Sequence, residues 1–299
     1  MKYSIPQEER VTSGTVACQG CGAVLAMRYA LKALGDDTIL TLPACCWSVI
    51  DGPFPYTATK VPLFHTAFET AAITASGIRN GLSIRGNDHT NVVAWAGDGG
   101  TADIGLQALS GAVERDEDIL YICYDNEAYM NTGIQRSGST PYGAWTTTTP
   151  VRHFKKEEKK NVMEIMVAHG IRYAATASIS HPEDFIKKVS KAKEIRGAKY
   201  IQIFASCPPG WKMQADFSVQ AARLAVQTGI WPLYEVVDGV YKVNYKPKTF
   251  KPLEDYLGLQ GRFKHLKPEH IDHIRKQRDY RWKLLEAKVK MTEELAAEF

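Results

Sequence analysis

Residues 91–133 read NVVAWAGDGGTADIGLQALSGAVERDEDILYICYDNEAYMNTG, in which an amphipathic stretch separates two apolar runs. The pattern predicts strands at Val92–Ala96 and Ile119–Tyr124 with a helix at Thr101–Arg115 between them. Two strands joined by a crossover helix run parallel in one sheet. The loop after each strand is polar and bears glycine, so the two loops are predicted to face one ligand beyond the carboxyl ends of the strands.

The same alternation extends over most of the chain. Strands are also predicted at Thr38–Leu42, Tyr173–Ala177 and Tyr200–Ala205, and helices at Gly22–Leu34, Thr66–Gly81, Asn161–His169 and Pro182–Ala192. This order predicts an α/β fold with a doubly wound, mostly parallel sheet. We expect residues 1–215 to form this domain and residues 216–299 to form a C-terminal extension that is largely helical and contacts another subunit. Within the extension, residues 229–252 show no regular pattern, and a final helical region is predicted at Pro268–Phe299.

The composition is that of an ordinary globular protein, with 299 residues, 44% hydrophobic residues and a net charge of +4. No apolar run reaches the roughly 18 residues needed to cross a bilayer, and the charge makes no case for nucleic acid. Met1–Arg10 is polar and lacks the apolar core of a secretory signal. We therefore expect a cytoplasmic protein that binds neither a membrane nor nucleic acid.

Asp98 and Asn126 stand in the two loops that follow the central strands. Mg²⁺ requires near-octahedral oxygen coordination, which a carboxylate, an amide and a nearby backbone carbonyl can complete around a diphosphate. The glycines around Asp98 allow the backbone to approach phosphate groups closely. A Gly-Asp-Gly triplet alone is more often a turn after a strand, but the second loop favours a diphosphate site.

Six cysteines are present, at positions 18, 21, 45, 46, 123 and 207. In a reducing cytoplasm, the Cys18-Gln-Gly-Cys21 hairpin indicates a metal or a cluster rather than a disulfide. A zinc site usually shows a second hairpin of this kind, whereas the remaining candidates here, Cys45 or Cys46 and Cys207, follow separate strands. Spacing alone does not choose between Cys45 and Cys46. Cys123 lies inside an apolar run and is predicted to be a core residue.

A family resemblance rests on residues 14–72, 95–150 and 207–211, which include the motifs GTVACQGCG, LPACCW, AGDGG, YDNEAYMNTG and CPPGW. Over roughly residues 14–232, the chain resembles the beta subunit of multi-subunit pyruvate:ferredoxin oxidoreductases, in the 2-oxoacid:ferredoxin oxidoreductase family. The resemblance implies a sheet of the thiamine diphosphate-binding (pyrophosphate domain) type, inside a hetero-oligomer.

The resemblance also implies the site residues. Asp98, Asn126 and the carbonyl of Ala128 would bind Mg²⁺. Residues implied at the thiamine diphosphate are Gly97, Asp98, Gly99, Gly100, Asn126, Ala128, Asn131, Thr132 and, through the adjacent cluster, Cys46. Cys18, Cys21, Cys46 and Cys207 would hold one [4Fe-4S] cluster, and Cys45, where the family commonly has glycine, would be spare.

The implied reaction is the oxidative decarboxylation of pyruvate to acetyl-CoA and CO₂, or its reverse, with electrons passing through the cluster to ferredoxin. Pro53–Pro62 is most similar to the pyruvate type. Related subunits act on 2-oxoisovalerate, oxalate or aryl 2-oxoacids, so these substrates remain open. Two rival hypotheses for the chain are a non-redox thiamine decarboxylase subunit with a zinc hairpin and a nucleotide-binding scaffold.

The chain offers no obvious general base for the cofactor, and the resemblance assigns a glutamate for this task to a partner alpha subunit. Gamma and delta subunits, coenzyme A and a 2-oxoacid substrate complete the implied assembly. His65 lies at a predicted helix start, where a capping or core histidine is favoured over one that faces the reacting centre. The basic stretch Lys264–Lys290 is predicted to be a solvated helix face, and a subunit or ferredoxin contact is the competing hypothesis.

Overall fold

The computed structural model describes residues 5–298. Met1–Ser4 and Phe299 lie outside these residues, and with them the start of the polar N-terminus and the predicted helix end at Phe299. The described α-helices are α1 (Gly22–Leu34), α2 (Trp47–Ile50), α3 (Ala71–Ile84), α4 (Leu106–Glu114), α5 (Val162–Ala168), α6 (Pro182–Glu194), α7 (Pro208–Trp211), α8 (Ser218–Gln227), α9 (Leu253–Leu257) and α10 (Pro268–Glu298). The strands are β1 (Thr38–Pro43), β2 (Leu63–Thr66), β3 (Asn91–Gly97), β4 (Leu120–Asp125), β5 (Tyr173–Ser178), β6 (Lys199–Phe204), β7 (Leu233–Val237) and β8 (Val240–Tyr245).

All eight strands form one sheet in the order β2-β1-β3-β4-β6-β5-β7-β8. The first six strands in this order are parallel, so their carboxyl ends meet at one edge. One buried cluster covers the face that packs against α1, α6 and α8, and a second covers the face that packs against α3, α4 and α5. The predicted doubly wound, mostly parallel α/β fold is confirmed.

The helix α1 shows how the sequence encodes these elements. The apolar residues of this helix recur at helical spacing and therefore lie on one face. Among them, Ala26, Met27, Ala30 and Leu31 are buried against the sheet. The helix ends at Gly35, which has φ +86° and returns its N–H to the carbonyl of Leu31. Because glycine adopts this left-handed conformation without steric cost, the predicted helix bounds coincide with the observed ones.

The segment after β1 differs from the prediction. The residues Leu63–Thr66 form the short edge strand β2, and the helix that was predicted from Thr66 begins only at Ala71. His65 therefore lies in an exposed edge strand, and its predicted place at a helix start is wrong. Four residues are too few to establish a strand pattern, and the pairing with β1 decides their conformation.

The predicted irregular stretch at residues 229–252 is also wrong, because it contains β7 and β8. The two strands are joined by Asp238-Gly239, both with positive φ, and β7 pairs antiparallel with β5. An Asp-Gly pair between two alternating runs is a strong hairpin signal that identifies this element from sequence. The chain beyond residue 215 thus extends the sheet as well as adding helices, and the division at residue 215 stays a prediction.

The long helix α10 lies against β8 and buries Trp282 and Leu285. Several of its basic side chains pair with acidic residues of the body, as in Arg281 with Glu158 and Lys288 with Glu164. Part of the basic face therefore serves contacts inside the chain. Among residues 5–298, no helix combines the length and the apolar character that crossing a bilayer requires.

Gly22, the first residue of α1, lies close to the backbone that follows β6. A substitution at this residue tests the close approach. A Cβ at Gly22 would lie 2.7 Å from the backbone nitrogen and oxygen of Ser206. We expect Gly22→Ala to lower the free energy of unfolding by about 1–3 kcal/mol, because neither backbone can move freely. The measurement is urea unfolding of the purified protein.

The matched control is Gly77→Ala in α3, where an added Cβ meets no atom within 4 Å. This change should raise the free energy of unfolding by about 0.5–1 kcal/mol, because alanine restricts the unfolded chain. Equal effects of the two substitutions would contradict the proposed steric cause.

Candidate functional site

Four neighbouring strands, β1, β3, β4 and β6, bring the predicted site residues to one edge of the sheet. Asp98 directly follows β3 and Asn126 directly follows β4. Cys46 and Cys207 stand in the loops after β1 and β6. Strands in a sheet lie about 4.8 Å apart, so parallel pairing alone brings these loops close together.

Asp98, Asn126 and Ala128 converge where β3 and β4 end. One terminal atom of the Asn126 side-chain amide lies 2.9 Å from Oδ1 of Asp98 and 3.1 Å from the carbonyl oxygen of Ala128. With the amide nitrogen at this place, Asn126 donates hydrogen bonds to both oxygens, and with the amide oxygen there, three oxygen atoms would face one cation. Octahedral Mg²⁺ with bonds of 2.0–2.1 Å places adjacent ligand oxygens about 3.0 Å apart. The three residues therefore fit a magnesium ion.

Asp98 is a buried carboxylate, 1% exposed. Its Oδ2 accepts a hydrogen bond of 2.6 Å from Ser137 Oγ, and its Oδ1 accepts one of 3.3 Å from the backbone of Asn126. Burial, and then the neighbouring carboxylate of Asp125, raise the pKa of Asp98 well above its ordinary value of 3.8. A bound cation would offset both effects and favour the ionised carboxylate.

A buried charge network supports the second loop from behind. The Lys159 ammonium lies 2.7 Å from Asp125 and 2.9 Å from Glu127, and Arg262 lies 2.6 Å from the other oxygen of Glu127. Burial opposes ionisation of Glu127, but Lys159 and Arg262 outweigh it and lower its pKa. Together with Asp98, this edge holds three buried carboxylates against two cations, so one negative charge has no partner within the network.

The glycines after β3 make room for aromatic rings. A Cβ at Gly99 would lie 2.2 Å from the ring of Tyr129, and a Cβ at Gly100 would lie 3.2 Å from Phe68. The Tyr129 hydroxyl donates a hydrogen bond to Asp103, which lies in a π-helical turn at Gly100–Ile104. This turn interrupts the helix that was predicted as continuous from Thr101 to Arg115. The expected approach of these glycines to phosphate groups stays a prediction.

The predicted cluster cysteines interact with one another. Burial raises the pKa of the Cys46 thiol, and the nearby thiol of Cys207 raises it further, followed by Cys45 and Cys21. Burial, with further contributions from Cys21 and Cys18, raises the pKa of Cys207 to about 12. Crowded, buried thiols of this kind ionise when they coordinate a metal centre, which supplies the positive charge that they lack.

Backbone contacts hold the cysteine hairpin against the loop of Cys207. The Gly22 N–H donates a 3.0 Å hydrogen bond to the carbonyl of Ser206. A Cβ at Gly20, which has φ +70°, would lie 2.4 Å from the carbonyl oxygen of Ala215. The glycines of Cys-Gln-Gly-Cys-Gly thus permit the close approach that brings Cys18 and Cys21 to Cys207.

The remaining cysteines lie elsewhere. Cys123 is buried in β4 within the core on the opposite face. Burial raises the pKa of the Cys45 thiol, and the nearby Tyr124 hydroxyl and backbone N–H groups oppose this effect. Within residues 5–298, no three His, Cys, Asp or Glu side chains are arranged around a single metal ion. The ligands of a [4Fe-4S] cluster each bind a different iron, so they stand farther apart than the ligands of one zinc ion. The use of these four thiols as cluster ligands stays a prediction.

Three predicted residues lie at the rim of the site. Asn131 and Thr132 are exposed in the turn after Ala128, and Thr132 donates a hydrogen bond to Gln135. His65 is exposed near the carboxyl end of β2, where it pairs in register with Leu42. Their roles toward a cofactor or the reacting centre stay predictions.

The sequence did not identify the residues outside the two loops that bind and stabilise the loop side chains. Lys159 belongs to a charge run, Lys155–Lys160, that is typical of a solvated loop, and Arg262 lies far along the chain. Asp125 and Glu127 flank Asn126, and their position in the sequence indicates that cationic partners lie nearby. Acidic residues directly after a buried strand need a charged partner. Ser137 offered no signal of its own.

Comparisons with known proteins agree with this geometry. A family model described as the C-terminal thiamine pyrophosphate-binding domain of thiamine pyrophosphate enzymes matches residues 53–203. Among solved structures, the 2-oxoglutarate:ferredoxin oxidoreductase from Magnetococcus marinus with 2-oxoglutarate, coenzyme A and succinyl-CoA bound shares the fold. The TM-score is 0.59 at 22% identity, over 75% of this chain and 81% of that chain.

Curated relatives are much closer in sequence. The ketoisovalerate oxidoreductase subunit VorB of Pyrococcus furiosus is 56% identical over 92% of both chains. The pyruvate synthase subunit PorB of Methanothermobacter thermautotrophicus is 54% identical over 92% of this chain and 96% of that one. The PorB of P. furiosus is 46% identical over 95% and 96%. The chain belongs to the thiamine diphosphate-dependent 2-oxoacid:ferredoxin oxidoreductase subunits, the family of these PorB and VorB proteins.

Proposed function

We propose that this chain is the beta subunit of a pyruvate-type 2-oxoacid:ferredoxin oxidoreductase, which binds thiamine diphosphate with Mg²⁺ and one [4Fe-4S] cluster. The complex converts pyruvate and coenzyme A to acetyl-CoA and CO₂, or catalyses the reverse. Each turnover of the oxidation releases two electrons and one proton, and the cluster, when bound, would supply a one-electron carrier between the thiamine site and ferredoxin. Alpha, gamma and delta subunits supply the remaining parts.

The observation that carries the proposal is the meeting of two ligand sets at one sheet edge. The side chains of Asp98 and Asn126 and the carbonyl of Ala128 converge after β3 and β4, and Cys46 stands in the loop after the adjacent strand β1. An electron acceptor close to the thiamine site is what a one-electron oxidation of the substrate requires. A non-redox decarboxylase has no use for this arrangement.

The residues of this chain bind and orient the cofactors. Thiamine diphosphate, when bound, takes up the electron pair that remains when the carboxyl group of the 2-oxoacid leaves as CO₂. Asp98, Asn126 and Ala128 hold the magnesium ion that neutralises the diphosphate. The helical segment that begins after β3 directs backbone N–H groups and the positive end of its dipole toward the same edge, which favours a diphosphate.

A second substrate, 2-oxoisovalerate, is favoured by one observation. The P. furiosus VorB is 56% identical to this chain, whereas the PorB of the same organism is 46% identical. The PorB of M. thermautotrophicus, at 54% identity, is nearly as similar to this chain as VorB and keeps pyruvate as a substrate. Both substrates present the same 2-oxoacid group and differ only in the size of the apolar substituent.

The complex distinguishes these substrates by its specificity constants. We expect kcat/KM for pyruvate to exceed that for 2-oxoisovalerate by about 10-fold or more, since a pocket shaped for a methyl group excludes an isopropyl group. The measurement is coenzyme A-dependent ferredoxin reduction with each substrate. A preference for 2-oxoisovalerate would retain the chemistry but reject pyruvate as the substrate.

The two cofactor sites should be lost separately. Cys46→Ala is expected to remove about four iron atoms per copy of the chain and to leave bound thiamine diphosphate unchanged. Asp98→Asn or Asn126→Ala should weaken Mg²⁺-dependent thiamine diphosphate binding by at least about 100-fold and leave the iron in place. Iron analysis and mass spectrometry of the anaerobically purified complex measure both contents.

Matched controls lie outside the site. Cys123→Ala changes a cysteine in the opposite core, and Asp51→Asn changes a buried carboxylate that accepts hydrogen bonds from the backbone and the hydroxyl of Thr59. Both controls should keep both cofactors. A wild-type protein with stoichiometric zinc and no iron would refute the proposal.

Ser137 should matter through Asp98, to which its hydroxyl donates a hydrogen bond of 2.6 Å. We expect Ser137→Ala to weaken Mg²⁺-dependent thiamine diphosphate binding by about 10-fold to 100-fold, because Asp98 loses the partner that orients it. Calorimetric titration measures the affinity. Ser178→Ala, a buried serine that pairs with Ser180 at the end of β5, is the control and should bind normally.

A further inference from the structure

Trp211 and Arg262 connect the two candidate cofactor sites. Trp211 is fully buried and ends the one-turn helix α7 that begins after Cys207. Its backbone N–H donates a hydrogen bond of 2.8 Å to the carbonyl of Cys207, and its indole Nε1 donates one of 2.8 Å to the carbonyl of Asn126. One residue therefore contacts both a predicted cluster ligand and a predicted magnesium ligand.

Arg262 lies on the indole of Trp211. The guanidinium carbon is 4.1 Å from the ring centroid, and the side chain is 2% exposed. Its Nη2 donates a hydrogen bond of 2.6 Å to Glu127, and its Nε donates one of 2.9 Å to Gln260. A planar, permanently charged group is thus fixed between the cluster loop and the magnesium loop.

Glu127 needs this contact because its backbone has φ +70°. A residue with a Cβ adopts this left-handed conformation at a cost of about 1–3 kcal/mol, and only where the surroundings enforce it. Lys159 and Arg262 bind the two carboxylate oxygens of Glu127 and so hold it in place. Since Glu127 lies between Asn126 and Ala128, its conformation sets the direction of both predicted magnesium ligands.

Arg262 also lies on the cluster side, because its guanidinium stacks on Trp211, whose backbone N–H binds the carbonyl of Cys207. Reduction adds one electron to a [4Fe-4S] cluster, and a buried positive charge nearby stabilises the reduced form. Glu127 compensates the charge of Arg262 but lies on the magnesium side of it. The cluster thus experiences the guanidinium more directly than the carboxylate.

We propose that Trp211 and Arg262 are positioning residues that couple the two cofactor sites: they orient the magnesium loop, and the charge of Arg262 raises the reduction potential of the cluster. This inference rests on the proposed function. It predicts that one side chain affects both cofactors, whereas substitutions of the ligands themselves affect one cofactor each.

Three substitutions in the complete complex separate charge from shape. Arg262→Gln should shift the cluster potential to a more negative value and weaken Mg²⁺-dependent thiamine diphosphate binding by about 10-fold or more. Arg262→Lys keeps the charge but loses the planar fork, so it should weaken binding and leave the potential near that of the wild type. Trp211→Phe removes the indole N–H that binds Asn126 but keeps an aromatic ring beside Arg262, and it should also weaken binding with little change in potential.

The readouts are a dye-mediated redox titration followed by electron paramagnetic resonance, and calorimetric titration of Mg²⁺ and thiamine diphosphate. Arg278→Gln is the control, because Arg278 is also largely buried and packs on an aromatic ring, that of Phe250, away from both sites. The control should retain the wild-type potential and affinity.

The possible outcomes distinguish a failure of the proposed function from a failure of the proposed coupling. If the wild-type complex holds no iron or no thiamine diphosphate, the proposed function fails. If it holds both cofactors and the Arg262 variants match the wild type in potential and affinity, only this inference fails. If Arg262→Gln does not assemble, Arg262→Lys and Trp211→Phe decide: unchanged thiamine diphosphate affinity in both refutes the coupling.

Discussion

The balance of buried charge at the carboxyl edge of the sheet constrains everything around it. Asp98, Asp125 and Glu127 are buried there within a few residues of two strand ends. Burying an ionised carboxylate is costly unless it is paired, hydrogen-bonded or binds a metal. Lys159 and Arg262 pair with two of them. The structure therefore brings two distant segments to the sheet edge, and the third carboxylate, Asp98, is the proposed ligand of a cation.

The same edge explains how one domain can serve two cofactors. Four adjacent parallel strands deliver Cys46, Asp98, Asn126 and Cys207 to neighbouring loops. The parallel register makes the loops neighbours, and the glycines of the cysteine hairpin allow the hairpin to contact the loop of Cys207. The meeting of the two proposed ligand sets thus follows from one feature of the fold, the alignment of its central strands.

Local pattern predicted the central elements well and the peripheral ones less well. The bounds of α1 coincide with the prediction because helical periodicity and Gly35 agree. The edge strand β2 was not predicted, because four residues are too few to show a periodic pattern. Its formation depends on pairing with β1. The β7–β8 hairpin was not predicted, although Asp238-Gly239 indicates a hairpin turn. The alternation of apolar and polar residues on either side of this turn is weak.

The sequence by itself determined the class of the fold and the two loops with Asp98 and Asn126, because periodicity and motif spacing are local properties of the chain. The choice among the cysteines came from the family resemblance and stays a prediction. Only the tertiary structure decided which groups complete the site. Lys159 belongs to a run of charged residues that is typical of a solvent-exposed loop, and Arg262 lies in the chain after the last strand of the sheet. Both are recruited because an uncompensated carboxylate in a buried position is so costly that a cation from any part of the chain is favoured there.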